Sequence, residues 1–386
     1  MKTSWRDHPL LLRTLPQIFI MLFALSMTVS IAATQICLSI LFLLVVLTFR
    51  GHRLSDAGVI TIPLILYSGF SMISAVFSLN LQHSLSDIKS LLLFAIPFII
   101  AYFKGNMLRL RYLILAIYIG AVASALYALY QYWTSDGERS TGFMSHYMTF
   151  AEQMMLVGGI AFAMLLYEKG TLRWISASVL PVVLAGCAAS LTRSSWIAFL
   201  VGVIVLLAVR KPILTVLVPP ILAMILLLAP GEYRQRVFSI FNPSMKSNHD
   251  RVLMIKSGLK MVHDYPLFGV GPDVVGLVYP QYKEPEATPG AVHLHNNIIQ
   301  IAAERGLPAL AAWLYLMAAA AVASFRLIRR LPQVAGYPAA ALFCVVGLFV
   351  SGFFEYNFED SEIKMLFLFI LTLMFLAREG YGTENR

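Results

Sequence analysis

The sequence predicts an all-α integral membrane protein of about twelve transmembrane helices, on three observations. Of its 386 residues 59% are hydrophobic and only 13% charged, and the mean hydropathy is +0.76. Soluble domains carry about a quarter charged residues, so this chain has too few charges to cover a water-exposed surface. The apolar residues also fall into runs of membrane-crossing length, and the basic residues fall between those runs.

A helix needs roughly 17 to 25 apolar residues to span a bilayer. On that basis the spans lie near 14–31, 33–49, 58–79, 88–103, 112–133, 147–167, 172–190, 194–209, 212–229, 308–325, 337–355 and 362–378. The first two resemble a signal peptide at first sight, because Lys2, Arg6 and Arg13 precede an apolar stretch and the small residues Ala32 and Ala33. The apolar run continues to Phe49, about twice the length of a signal-peptide core. It reads as an attached helical hairpin. Proline in or beside spans, as at Pro181, Pro219, Pro220 and Pro308, is tolerated in lipid better than in soluble helices.

Orientation follows from the positive residues. With a cytoplasmic N-terminus, seventeen of the 29 Lys and Arg fall in cytoplasmic segments and only Lys89, Arg139, Arg193 and Lys364 in short outer loops. This asymmetry places both termini in the cytoplasm. The chain then divides into spans one to nine (1–229), one long extracytoplasmic segment (230–307), and spans ten to twelve with a cytoplasmic tail (308–386). In the long segment, Asn248 or Asp250 is expected to cap a helix over 250–263. Pro266, Gly269, Gly271 and Pro272 then force a turn. The stretch 279–290 reads as a mobile loop, and a second helix is expected from near His293 to Gly306.

The net charge of +9 does not point to nucleic acid, since no basic cluster interleaved with aromatics occurs; membrane lipids account for the basic residues. Cys37, Cys187 and Cys344 lie within apolar runs and offer neither a disulfide framework nor a zinc spacing.

The residues able to carry chemistry lie on the outer side. Arg193 sits in a tight turn between two spans, either snorkelling to headgroups or presenting its planar fork to a phosphate. Arg251 stands near the start of the loop helix, where free backbone N–H groups favour anions, although adjacent Asp250 is an alternative partner. His293 and His295 form a His-x-His pair with no third ligand at useful spacing, so no metal is expected. His295 is a candidate general base, because imidazole titrates near neutral pH; an ordinary surface histidine is the alternative. Asp136 and Glu138 suit either a cation on a diphosphate or a solvated turn. Glu355, Glu359, Asp360 and Glu362 form an acidic patch, read as solvated or topological rather than as a site for acceptor hydroxyls. Charged residues are scarce within spans, which argues against a transporter lined by buried charges.

Arg251, the run Met261-Val-His-Asp-Tyr-Pro-Leu-Phe-Gly-Val-Gly271, His295-Asn296 and Glu304-Arg-Gly306 together resemble the core of the O-antigen ligase and O-antigen polymerase superfamily. The resemblance is sharpest over 250–313, and the Arg193 turn and the span count agree with it. It implies a GT-C-like polytopic glycosyltransferase of the bacterial inner membrane with a periplasmic active site. Its donor would be an undecaprenyl-diphosphate-linked glycan and its acceptor the lipid A-core, with no cofactor. It maps catalytic roles onto Arg193, Arg251 and His295, and substrate contacts onto Arg139, His293 and Asn296. The ligase branch is preferred, because the outer loop at 134–146 is short where polymerases often have two comparable loops. The alternatives are, in order, a polysaccharide polymerase, a protein O-oligosaccharyltransferase and a lipid-linked sugar transporter. Family ligases are regarded as metal-independent.

Overall fold

The computed structural model describes residues 10–49, 58–104, 109–135, 137–242, 245–287 and 292–384. With no water in the bilayer core, each spanning segment must satisfy its backbone groups internally, and every regular element described is helical. Among the described residues, eight segments are long and apolar enough to cross a membrane, three shorter apolar helices accompany them, and a final helix follows. They are α1 (Leu10–Ser26), α2 (Ile31–Thr48), α3 (Thr61–Val76), the run α4–α5 (Leu81–Asp87, a tighter 3₁₀ stretch Ile88–Ala95, then Ile96–Tyr102), α6 (Leu110–Thr134), α7 (Tyr147–Tyr167), α8 (Gly170–Ala189), α9 (Arg193–Arg210) and α10 (Val218–Leu228). Two short helices, α11 (Gly231–Phe238) and α13 (Val275–Tyr282), follow with the longer α12 (Lys246–Asp264) between them, before α14 (Asn297–Arg330), α15 (Gly336–Ser351) and α16 (Ser361–Glu384).

The bundle is organised around α7, whose span is 83% buried within the protein. Lipid gives no hydrophobic drive between helices, so close approach depends on small residues. Phe343 of α15 fills such a notch. A Cβ on Gly159 of α7 would lie 1.8 Å from its ring, and one on Gly202 of α9 would lie 2.5 Å away. By contrast α10 buries no residue, and its Leu and Ile side chains suit direct contact with lipid.

The segment between α10 and α14 forms a cap over one end of the bundle. Met254 and Met261 of α12, Val270, Val274, Val275, Val278 and Tyr279 around α13, and Leu294 and Ala303 make a small second core. The glycine-rich turn docks on α14 by backbone pairing, Val270 N–H to Ala303 O (2.8 Å) and Gly271 N–H to Glu304 O (2.9 Å). These glycines are required by geometry. Gly269 and Gly306 have φ of 66° and 80°, and a Cβ would meet the Glu304 and Leu267 carbonyls at 2.3 and 2.1 Å. Such φ values are costly for any residue with a side chain. Gly306 also breaks α14, which continues through Pro308 as the tenth span.

Several expectations change. The fourth span begins at Leu81, seven residues early. The cap helix starts at Lys246 with no side-chain cap, because Asn248 is engaged elsewhere. The expected mobile loop is helical up to Tyr282, and Tyr279 is fully buried; residues 288–291 and Asp136 lie outside the described residues. The second cap helix begins at Asn297 rather than His293.

Candidate functional site

The turns between α6 and α7, α8 and α9, and α15 and α16 all meet the cap, so the candidate residues share one end of the bundle. The α8–α9 turn passes through Leu191 at φ 53°, an uncommon conformation for a residue with a side chain. It is held from two sides. Arg139 donates from Nε to Ser190 O (3.0 Å) and from Nη2 to Leu191 O and Thr192 Oγ1 (3.4 and 3.3 Å), and its guanidinium lies over the Tyr147 ring at 3.4 Å. Arg193, the first residue of α9, donates from Nη1 to Ser239 O and Oγ (2.9 and 2.8 Å) and from Nη2 to Ser247 Oγ and Asn248 Oδ1 (3.1 and 3.0 Å). Asn248 in turn donates to Ser239 O and Asn242 O. Arg193 therefore staples the cap to the spans, a task that headgroup snorkelling would not require.

A cavity of 410 Å³ opens at this junction, lined by Arg139, Arg193, Arg236, Arg251 and Lys246, with Asp250 the sole carboxylate among its described walls. Burial, opposed by Tyr147 and reinforced by the charges of Arg236, Arg193 and Arg251, pulls the Arg139 guanidinium down to about 10. Such crowding of like charge favours a bound anion. Arg251 is the cation left free for it. Among the described residues it forms no hydrogen bond or ion pair, and its Nε is buried without a partner. An orphaned buried donor costs about 1–3 kcal/mol, more when charged. A second cavity of 460 Å³ shares Arg193 and Arg251 and reaches Phe353 and Phe354.

Phe353 leads to the histidines. Asn296 caps α14, its Oδ1 accepting from Ile299 N–H (3.0 Å) while its Nδ2 donates to Phe353 O (3.1 Å). Asn297 clasps the same α15–α16 loop through Asn357 Oδ1 (2.7 Å). Between cap and helix, His295 is held at φ 49°, a strained conformation of the kind that clusters at functional sites. Its Nδ1 lies 2.9 and 3.0 Å from the two Glu355 oxygens. A carboxylate on Nδ1 places the proton there and leaves Nε2 to accept another. The His295 side chain is 27% exposed and that of Glu355 only 7%, so the imidazole is reachable while its partner is shielded. Burial pushes the Glu355 carboxyl up, but the His295 hydrogen bond and the charges of His295, His293 and Arg251 win and hold it below its ordinary range. Burial pulls His293 down, against the opposing pull of Glu355. Its Nδ1 is buried without a hydrogen-bond partner, 3.6 Å from Glu355.

Two expectations are thereby corrected. Glu355 is buried rather than solvated, and it supplies the third potential ligand that the His-x-His pair lacks in sequence: the ligating atoms of His293, His295 and Glu355 all lie within 4.8 Å of one another. Glu359 and Asp360 of the patch are also engaged. Glu359 pairs with Arg305 (3.1 Å) and Lys364 (2.8 Å), while Thr149 donates to Asp360 (2.9 Å). Burial raises Glu359, but Arg305 and Lys364 overcome it and hold it at about 2. Arg305 also binds Asp87 and Glu304 (2.8 and 2.7 Å), and Tyr356 donates to Glu304. Charges at the span ends are thus more deeply buried than the sequence suggests. This network ties α4 and α14 to the loop bearing Glu355. Glu138 is exposed and lines neither cavity.

Of the six residues expected at the site, Arg139, Arg193 and Arg251 line the first cavity, His293 and His295 gather at Glu355, and Asn296 holds Phe353 of the second cavity. Arg236 and Lys246 escape sequence reading, because a polar stretch after an apolar run looks like ordinary loop. The fold and the site define a polytopic helical membrane protein with a cationic cavity and a carboxylate-backed histidine at one end. A family model described as O-antigen ligase matches residues 177–314, about the central third of the chain. The segment runs from α8 through the cap into α14 and includes Arg193, Arg251 and His295. The chain resembles the O-antigen ligase and polymerase superfamily there, which implies an enzyme of the glycosyl-transfer type acting on lipid-linked glycan and acceptor. No curated protein matches the chain.

Proposed function

We propose that this protein is an O-antigen ligase: it transfers a glycan from undecaprenyl diphosphate to a hydroxyl of lipid A-core at the periplasmic face of the bacterial inner membrane. The observation that carries the reading is Arg251, a cation with no hydrogen bond or ion pair among the described residues, facing a cavity walled by three further arginines beside the His295–Glu355 pair. The donor's diphosphate, esterified to the glycan at one end and to the polyprenol at the other, brings negative charge to offset these cations, and its polyprenyl tail stays in lipid.

In the reaction the acceptor hydroxyl attacks the anomeric carbon, and its proton passes to His295 Nε2. The bond from the anomeric carbon to the phosphate oxygen breaks, and its electron pair leaves with undecaprenyl diphosphate. Attack opposite the leaving group inverts the anomeric configuration. Arg251 and Arg139 stabilise the departing charge, each well-placed donor contributing on the order of 2.7–4 kcal/mol. Arg193 holds the cap in register and offers whatever donor capacity its staple leaves. A general base of this kind contributes roughly 10²–10⁴-fold.

The test is reconstitution of the purified protein with lipid-linked donor and lipid A-core, followed by determination of the product linkage. Wild type should form the glycoconjugate without ATP or an ion gradient, and Arg251→Ala and His295→Ala should not. Gene deletion should leave core lipid unextended while lipid-linked polymer accumulates. Chains that stop at one repeat would instead identify a polymerase, and absence of any product from a folded preparation would point to transport.

A further inference from the structure

At the end of the bundle remote from the cap, α14 and α16 enclose a groove of 530 Å³ walled by Val59, Val322, Leu327 and Phe375, with Arg326, Arg330 and Arg378 at its rim. No acidic residue lines it among the described residues. The nearest carboxylate in sequence, Glu379, is paired with Lys104 at 2.7 Å. Arg326 and Arg330 stand four apart on one helix, so they share a face and repel, and Arg378 approaches from a different helix. The macrodipole at the C-terminal turn of α14 accounts for Arg330 but not for three guanidinium groups converging on one apolar groove. Arg326 lies 19 residues beyond Leu307, where α14 resumes after the Gly306 break, and at about 1.5 Å per residue this puts the groove roughly 28 Å along the helix from the cap-side break. That is close to the thickness of a bilayer's hydrocarbon core, about 30 Å.

We propose that this groove binds the phosphodiester headgroup of an anionic phospholipid in the leaflet opposite the cap. The guanidinium forks engage the phosphate oxygens, and an acyl chain lies along Val59, Val322 and Phe375. Basic pockets between spans recognise anionic lipid by this chemistry. The site is independent of the glycosyl-transfer reading, since it shares no residue with the cap-side cavities.

The test is native mass spectrometry of the full chain in detergent, with phosphatidylglycerol and phosphatidylcholine supplied in equal amounts. Wild type should retain phosphatidylglycerol preferentially. The triple substitution R326Q/R330Q/R378Q should weaken that binding by about fivefold per arginine, roughly a hundredfold in all, and millimolar glycerol phosphate should not displace the lipid. Equal retention of the two lipids by wild type would overturn the proposal without recourse to any variant. So would unchanged selectivity in the triple variant, and displacement by glycerol phosphate would make the groove a soluble phosphate site instead.

Discussion

Replacing Glu355 by glutamine keeps the size of the side chain and removes its charge, which isolates what the carboxylate does for His295. In the wild-type protein both Glu355 oxygens accept from Nδ1, at 2.9 and 3.0 Å, so Nε2 is the proton-accepting nitrogen. An amide at this position can turn its NH₂ toward Nδ1 instead and drive the proton to Nε2, which disables the base. The cost is bounded by what a general base contributes, roughly 10²–10⁴-fold in kcat, or about 2.7–5.4 kcal/mol of barrier. The arginine cavity is untouched, so KM for the lipid-linked donor should change by less than about threefold, and the neutral amide leaves no unpaired charge to unfold the loop. The assay is steady-state transfer by purified variant and wild type at several pH values. Transfer within threefold of wild type, or a large change in donor KM with kcat intact, would refute the assignment.

Arg251→Ala should reduce kcat/KM for donor by roughly 10²–10³-fold, with little loss of thermal stability because Arg251 supports no other residue. A melting temperature that falls as steeply as the activity would show it to be structural. Burial raises Asp360 from its ordinary 3.8 to about 7, so the folded state holds this proton more tightly than the unfolded chain. The corresponding stability is present below pH 4 and lost as pH rises through 7; Asp360→Asn should therefore raise the melting temperature at pH 8 but not at pH 4, as differential scanning fluorimetry can check. Gly306→Ala should cost more than 1 kcal/mol, since it adds a Cβ against Leu267 O at positive φ, and a denaturation curve overlaying wild type would contradict the docking geometry. Exhaustive chelation should leave transfer unchanged if His293, His295 and Glu355 act as base and partners; loss of activity restored by added zinc would instead assign the trio to a metal.

Much of the architecture is legible in the sequence because lipid makes each span a local decision. A run of apolar residues must close its own backbone hydrogen bonds, so Tyr147–Tyr167 or Arg193–Arg210 reads as a helix without reference to any neighbour, and the alternation of loops follows from where the arginines stand. The glycine and proline positions between Pro266 and Gly306 likewise announce turns, since only certain backbones permit them. Pairing between distant side chains carries no such local signature. Nothing near Glu355 says that it backs a histidine sixty positions earlier, and nothing near Arg193 says that Ser239 and Asn248 will occupy its terminal nitrogens while Arg251 stays free. Those outcomes depend on how α9, α12, α14 and the α15–α16 loop pack, and packing is set by shape and charge across the whole bundle. Residue types and their order determined which groups were available; the tertiary structure decided which were already satisfied, and hence which remain to meet a substrate.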